Sequence, residues 1–205
     1  GWVDLYVTNF GNNQLFLNQG NGTFRKAPIP KTTLPRWSVS AAFLDYDRDG
    51  WLDLFVGNYI NFSFSYTKAC TGSTGEVDYC GPLSFDPVPD RLFRNQGDGS
   101  FRDTSAPARV AQEYNGTLGV VAADFNADGW IDIYVANDQR PNHLWINQKN
   151  GTFSNEAVLA GCAFNKDGKV ESSMGVDAAD FDNDGDEDLF MTHLQKETNT
   201  LYLND

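Results

Sequence analysis

The sequence predicts an all-β chain: a β-propeller of four-stranded antiparallel blades, present as a partial ring of about three and a half blades. Three observations predict it. An acidic loop recurs as "DYDRDGWLD" (45–53), "DFNADGWID" (124–132) and "DFDNDGDED" (180–188), and the chain opens on "GWVD", the tail of a fourth copy. A second signature follows each loop: "LFLNQGNGTF" (15–24), "LFRNQGDGSF" (92–101), "LWINQKNGTF" (144–153) and the shorter "LYLND" (201–205). No segment carries the 3.6-residue apolar period of a helix.

Each complete unit opens on a strand of small residues: "VSAAFL" (39–44), "LGVVAA" (118–123) or "MGVDAA" (174–179). The acidic loop turns the chain into an apolar strand: "DLYVTN" (4–9), "DLFVGN" (53–58), "DIYVAN" (132–137) or "DLFMTH" (188–193). A connection leads to a third and a fourth strand joined by an Asn-Gly or Asp-Gly pair, whose residues accept the positive φ of a tight hairpin turn. Four strands in about 50 residues is the size of one propeller blade. A stack of sandwich domains is the competing architecture, but one loop per four strands favours the propeller. The blade parts run 1–30, 37–105, 117–160 and 172–205 within one domain, with three, four, four and three strands and an insert at 61–89. The missing blades are expected from the rest of a longer parent chain.

The formal charge is −13, and fourteen of the 28 acidic residues lie in the four loops. The acidity is therefore focused at discrete sites and does not form a solvating coat. A nucleic-acid or anionic-membrane partner needs basic patches that this composition lacks. No apolar run approaches the ~18 residues of a membrane span.

Acidic residues at loop positions 1, 3, 5 and 9 around a glycine at position 6 describe a site for a hard cation. Alternate side chains of a tight turn converge on one point, and calcium takes six to eight oxygens. The ligand sets are Asp45, Asp47, Asp49 and Asp53; Asp124, Asn126, Asp128 and Asp132; and Asp180, Asp182, Asp184 and Asp188. Position 7 (Trp51, Trp130, Asp186) is expected to offer its backbone carbonyl, and Asp4 closes the truncated fourth site. An EF-hand carries a glutamate at position 12; here that position holds Val56, Val135 or Met191, and the flanks read as strands. The expected cofactor is Ca2+, since magnesium demands stricter geometry. Asn126 leaves loop 124–132 with the fewest charges, so that loop is expected to bind most weakly.

The loop motif, the apolar strand and the "LFxNxGxGxF" signature together resemble the FG-GAP/VCBS repeat of integrin α-subunit propellers and many secreted bacterial proteins. Residues 70–105 and the stretch "MGVDAADFDNDGDEDLFMTHLQKETNTLYLND" resemble the narrower cartilage-acidic-protein-like, or ASPIC/UnbV, group. The resemblance spans essentially the whole chain. It implies a secreted, cell-surface or periplasmic calcium-dependent propeller with recognition or adhesion roles, its protein or glycan ligand held on a propeller face or an inter-blade loop. Two residues depart from the repeat: His193 stands where other units have Asn9, Asn58 and Asn137, and Lys149 replaces a turn glycine.

Cys70 and Cys80 bracket a Gly/Ser/Thr-rich turn in the insert, where either a disulfide staple or two free thiols is possible; a staple suits an oxidising compartment. Cys162 is left over, as a small apolar core residue. The insert also holds Phe62, Phe64, Tyr66, Tyr79 and Phe85, which either cap the blade or recognise a ligand. The sequons at Asn21 and Asn150 coincide with the repeat's own turns; two others stand at Asn61 and Asn115. The sequence holds no G-x-S-x-G, H-E-x-x-H or glycine-rich phosphate loop. A carbohydrate-active enzyme, a lyase or glycosidase using carboxylates on the propeller face, is the alternative to a binding module.

Overall fold

The computed structural model describes residues 1–29, 36–72 and 74–204; the expected end of the first unit at residue 30, insert residue 73 and the closing Asp205 fall outside them. The first unit holds β1 (Leu5–Val7), β2 (Phe10–Gly11), β3 (Gln14–Asn18) and β4 (Phe24–Ala27). The second holds β5 (Arg36–Leu44) and β6 (Asp53–Asn58), a small hairpin of β7 (Cys70–Thr71) and β8 (Val77–Asp78), then β9 (Arg91–Asn95) and β10 (Phe101–Asp103). The third has β11 (Thr117–Ala123), β12 (Asp132–Asn137), β13 (His143–Asn147) and β14 (Phe153–Asn155). The fourth has β15 (Ser173–Ala179), β16 (Asp188–His193) and β17 (Thr200–Tyr202). All pairings are antiparallel, and the described residues contain no α-helix, only the 3-10 turn Pro82–Ser84.

The sheets run β1-β3-β4, β10-β9-β6-β5-β2, β11-β12-β13-β14 and β15-β16-β17, the arrangement of a β-propeller. One pairing went unpredicted: β2 leaves the first unit and adds to the edge of β5, with Phe10 opposite Trp37, so the second sheet gains a fifth strand. The first strands of successive units pack side by side, β5 on β11 and β11 on β15.

The cores lie between sheets. Leu44, Phe55, Leu92, Ile133, Val135 and Trp145 fill the space between the second and third units, and Tyr134, Ala136, Leu144, Ile146, Leu189 and Met191 the space between the third and fourth. β6 and β12 are therefore buried on both faces and read as continuous apolar runs rather than alternating ones. The fourth unit's equivalent strand, β16, is buried on one face, and Phe190 on the other is 46% exposed. The sheets approach so closely that a Cβ on Gly119 would stand 2.5 Å from the carbonyl oxygen of Met174.

Candidate metal centres

The three acidic loops share one hydrogen-bonded skeleton. Each joins the first strand of its sheet to the second, and the residue before the loop pairs with the closing aspartate: Leu44 with Asp53, Ala123 with Asp132, Ala179 with Asp188. The position-1 aspartate accepts bonds from the backbone N–H of positions 5 and 6. These are 3.1 and 3.0 Å for Asp45, 3.0 and 2.7 Å for Asp124, and 3.1 and 3.2 Å for Asp180. The position-5 aspartates (Asp49, Asp128, Asp184) each accept from the N–H of position 7. Position 4 takes a positive φ at Arg48, Ala127 and Asn183, followed by Gly50, Gly129 and Gly185 at 84–104°. That pair of left-handed residues folds the carboxylates back on one another.

The carboxylates converge as expected in two loops. Oxygens of Asp45, Asp47 and Asp49 lie within 4.8 Å of one another, and so do those of Asp180, Asp182 and Asp188. Among the described residues, Asp124, Asp128 and Asp132 form no such trio; the second loop puts the amide of Asn126 at position 3, where its Oδ1 accepts from the N–H of Asp128.

Sequence reasoning gave the closing aspartates a ligand's role, and the structure adds an anchoring one. Asp53 accepts from the N–H of Tyr46 and of Asn95, Asp132 from Phe125 and Asn147, and Asp188 from Phe181 and Asn204. Asp4 accepts from Asn18 in the same way. Each thereby pins its loop to the third strand. Burial pushes Asp53 up to about 7, with the carboxylates of Asp47 and Asp49 adding to it against the backbone bonds from Asn95 and Tyr46. Asp132 rises to about 6, chiefly by burial and then through Asp128 and Asp124, again against its backbone bonds. In the third loop, desolvation first and then the charges of Asp184, Asp188 and Asp180 raise Asp182, against its backbone bond from Asp184. A divalent cation among these oxygens reverses that balance, because its field favours the ionised forms.

An all-oxygen donor set on a sharp glycine turn fits a hard divalent cation. The fit has a second support at loop 45–53. The guanidinium of Arg94 stands against Asp47 and, at 2.9 Å, Asp49: a positive group sits where the carboxylates meet. Asp47 Oδ1 is buried with no hydrogen-bond partner.

Sequence reasoning missed the asparagine of the second signature. Asn18, Asn95, Asn147 and Asn204 present their backbone N–H to the closing aspartate, and the side-chain amides of the last two also cross between units. Asn147 donates to the carbonyl of Tyr46 in the second unit's loop at 2.8 Å, and Asn204 to that of Phe125 in the third's at 2.8 Å. The signal was available, since all four copies keep asparagine at this position.

On the insert, Cys70 and Cys80 are joined in a disulfide, and Cys162 is a buried free thiol. The aromatic residues cap the blade, one of the two roles foreseen for them. Phe62 packs edge-on against Phe10, Phe64 and Phe85 and tilts against Trp37, a cap over the sheet edge where β2 joins. Beside it lies a cavity of about 380 Å³ lined by Trp37, Tyr59, Tyr66, Lys68, Asp78 and Phe85. Tyr79 at its rim is 97% exposed. The insert leaves the sheet after Asn58, at the end of β6 opposite the acidic loops.

The two histidines stay apart. His143 packs on Trp145 and meets the amide of Asn115 through Nε2, while His193 meets Glu171 and Ser173 through its own Nε2. Asn115 also donates to the carbonyl of Pro141, so this sequon's amide is engaged in the fold. Asn21 and Asn150 each accept from the N–H and hydroxyl two residues on, the turn chemistry expected of them. No helix among the described residues is long and apolar enough to cross a membrane.

Comparison with known proteins identifies the repeat. The FG-GAP-like repeat family matches residues 1–56, 80–135 and 124–191. Cartilage acidic protein 1 of Mus musculus is 36% identical to the chain over 106 residues, and the Homo sapiens and Xenopus tropicalis proteins are 34% and 33% identical over the same length. The match covers 52% of this chain and 16% of each relative.

Proposed function

Because the chain belongs to the FG-GAP-like repeat family, we propose that it is a calcium-braced extracellular recognition module, with Ca2+ held by the acidic loops and a protein or glycan ligand taken elsewhere on the propeller. The observation that carries the reading is the skeleton common to the three loops. Backbone N–H groups occupy the position-1 and position-9 carboxylates in all three, and carboxylate oxygens converge in two of them, at positions 1, 3 and 5 of loop 45–53 and positions 1, 3 and 9 of loop 180–188. Asp45, Asp47, Asp49 and Asp53 would hold one ion, Asp180, Asp182, Asp184 and Asp188 another, and Asp124, Asn126, Asp128 and Asp132 a third, with the carbonyls of Trp51, Asp186 and Trp130 alongside. The ion's part is to neutralise converging carboxylates and tie the first strand of each sheet to the second. The Cys70–Cys80 bridge supports a location outside the reducing cytosol, where calcium is also abundant.

The ligand surface in this reading is the insert. Its aromatic-lined cavity is of a size and composition that takes a small ligand or one unit of a larger one. It is spatially separate from the loops, so calcium has a structural role and the insert a recognition one. Thermal melts in chelator, in millimolar calcium and in millimolar magnesium test the metal. A calcium-specific rise is expected, since a ligand of the native state stabilises by mass action, and identical melts in all three would overturn the reading. Glycan-array binding by the chain and by a Tyr66→Ala/Phe85→Ala variant tests the surface: loss of bound glycans in the variant is expected, and unchanged binding would place recognition elsewhere.

A further inference from the structure

The three loops are alike in backbone and unlike in what lies against them. Arg94 reaches Asp47 and Asp49 from β9, at a position where the other copies carry Leu17, Ile146 and Leu203. Lys149 brings Nζ to 3.2 Å from Asp128 Oδ2, at a position where the first two copies carry Gly20 and Gly97. Among the described residues no basic side chain reaches the carboxylates of loop 180–188.

The lysine has a steric context. In the first two units the indole of the loop tryptophan lies against the turn glycine: a Cβ on Gly20 would stand 2.5 Å from Trp2 Nε1, and one on Gly97 would stand 3.0 Å from Trp51 Nε1. In the third unit the matching indole, Trp130, lies under the guanidinium of Arg48, 5.4 Å from its ring centre, and Lys149 occupies the turn with φ of 60°. A non-glycine residue in that region is mildly strained. The strain is tolerated where it delivers a positive charge to Asp128.

We propose that Arg94 and Lys149 are tethered cations that compete with the metal in loops 45–53 and 124–132, leaving loop 180–188 as the site that responds first to calcium. The proposal rests on reading the loops as calcium sites. A side chain fixed to the neighbouring strand is present at high effective concentration, so it need not bind tightly to lower the apparent affinity of a free ion. Both pairs are partly exposed, so a divalent ion can displace them. At low calcium two loops keep part of their charge compensated from within; as calcium rises, loop 180–188 fills before the tethers are expelled.

Calorimetric calcium titration and thermal melts of the full chain test this, using Arg94→Leu (the residue of two other copies), Arg94→Gln, Lys149→Gly and Asp180→Asn/Asp182→Asn. The wild-type chain is expected to show one tighter class of site, abolished by Asp180→Asn/Asp182→Asn. Arg94→Leu and Lys149→Gly are each expected to tighten one weaker event about ten-fold. Both Arg94 variants should melt below wild type in chelator, with the gap closed or reversed in millimolar calcium; a merely structural arginine would leave the gap constant. Three sites of unchanged affinity in the variants would overturn the tethers while leaving the calcium reading intact. No calcium signal in any protein would overturn both.

Discussion

Replacing Asn147 with alanine is the sharpest probe of how the units are joined, because the same residue in another copy serves as its control. Asn147 is 2% exposed and makes three side-chain bonds: to the carbonyl of Tyr46 across the unit boundary at 2.8 Å, to that of Ile131 at 3.2 Å, and from the N–H of Lys149 at 2.9 Å. The Tyr46 carbonyl has no solvent to turn to, so stranding it costs about 1–3 kcal/mol, and the two half-buried bonds add about 0.5–1.5 kcal/mol each. Asn147→Ala should therefore destabilise by about 3–4 kcal/mol. Asn95 keeps only the bonds within its own unit, to Leu52 and from Gly97, both 3.0 Å and at or near the surface. Asn95→Ala should lose about 1 kcal/mol. For a chain of this size the drops in Tm come to about 10 °C and 3 °C. Calorimetric melts in chelator, where metal occupancy cannot contribute, measure both. Equal drops would refute the argument that this asparagine secures one unit to the next.

Gly119→Ala should destabilise by about 2 kcal/mol or more, because its Cβ would press on the backbone of β15, whereas Gly175→Ala, facing only a hydroxyl at 3.0 Å, should lose less than half as much; urea midpoints compare them. Burial lowers His143 from 6.5 to about 4, with Glu113 opposing. Such a group takes up a proton on unfolding, so its contribution is full above 6.5 and fades as pH falls toward 4, by about 2–3 kcal/mol at pH 4.5. His143→Gln should remove that part of the slope from a pH series of urea midpoints; an unchanged slope would assign it to other groups. Reducing Cys70–Cys80, ten residues apart, should free the insert by about 2–3 kcal/mol in the chain-entropy model. Hydrogen exchange is then expected to quicken at residues 70–80 and stay slow in β6 and β12.

Features repeated within the chain were legible from sequence, whereas features produced by register between distant residues were not. The blade strands β5, β6, β11, β12, β15 and β16 fall where the small-residue and apolar runs predicted them, because an acidic loop between two such runs has few other ways to fold. The two-residue β2 had no pattern to announce it: its partner Trp37 lies beyond a connection, and the aromatic packing of Phe10 on Trp37 helps hold the pairing. The convergence of the carboxylates was legible for two of the three acidic loops, yet the anchoring bond of Asp53 to Asn95 spans 42 residues and an insert. The same distance hid Arg94. Aligning the signatures exposes an arginine among leucines and an isoleucine, which by itself reads as a tolerated surface change on an edge-proximal strand. Only the register of β6 with β9, Leu54 opposite Phe93, carries position 94 to the loop end of the sheet, where its charge meets Asp47 and Asp49. A substitution in one strand thus changes the electrostatics of a loop three strands earlier in the chain, and the internal repeat supplies the unsubstituted copies against which that change is measured.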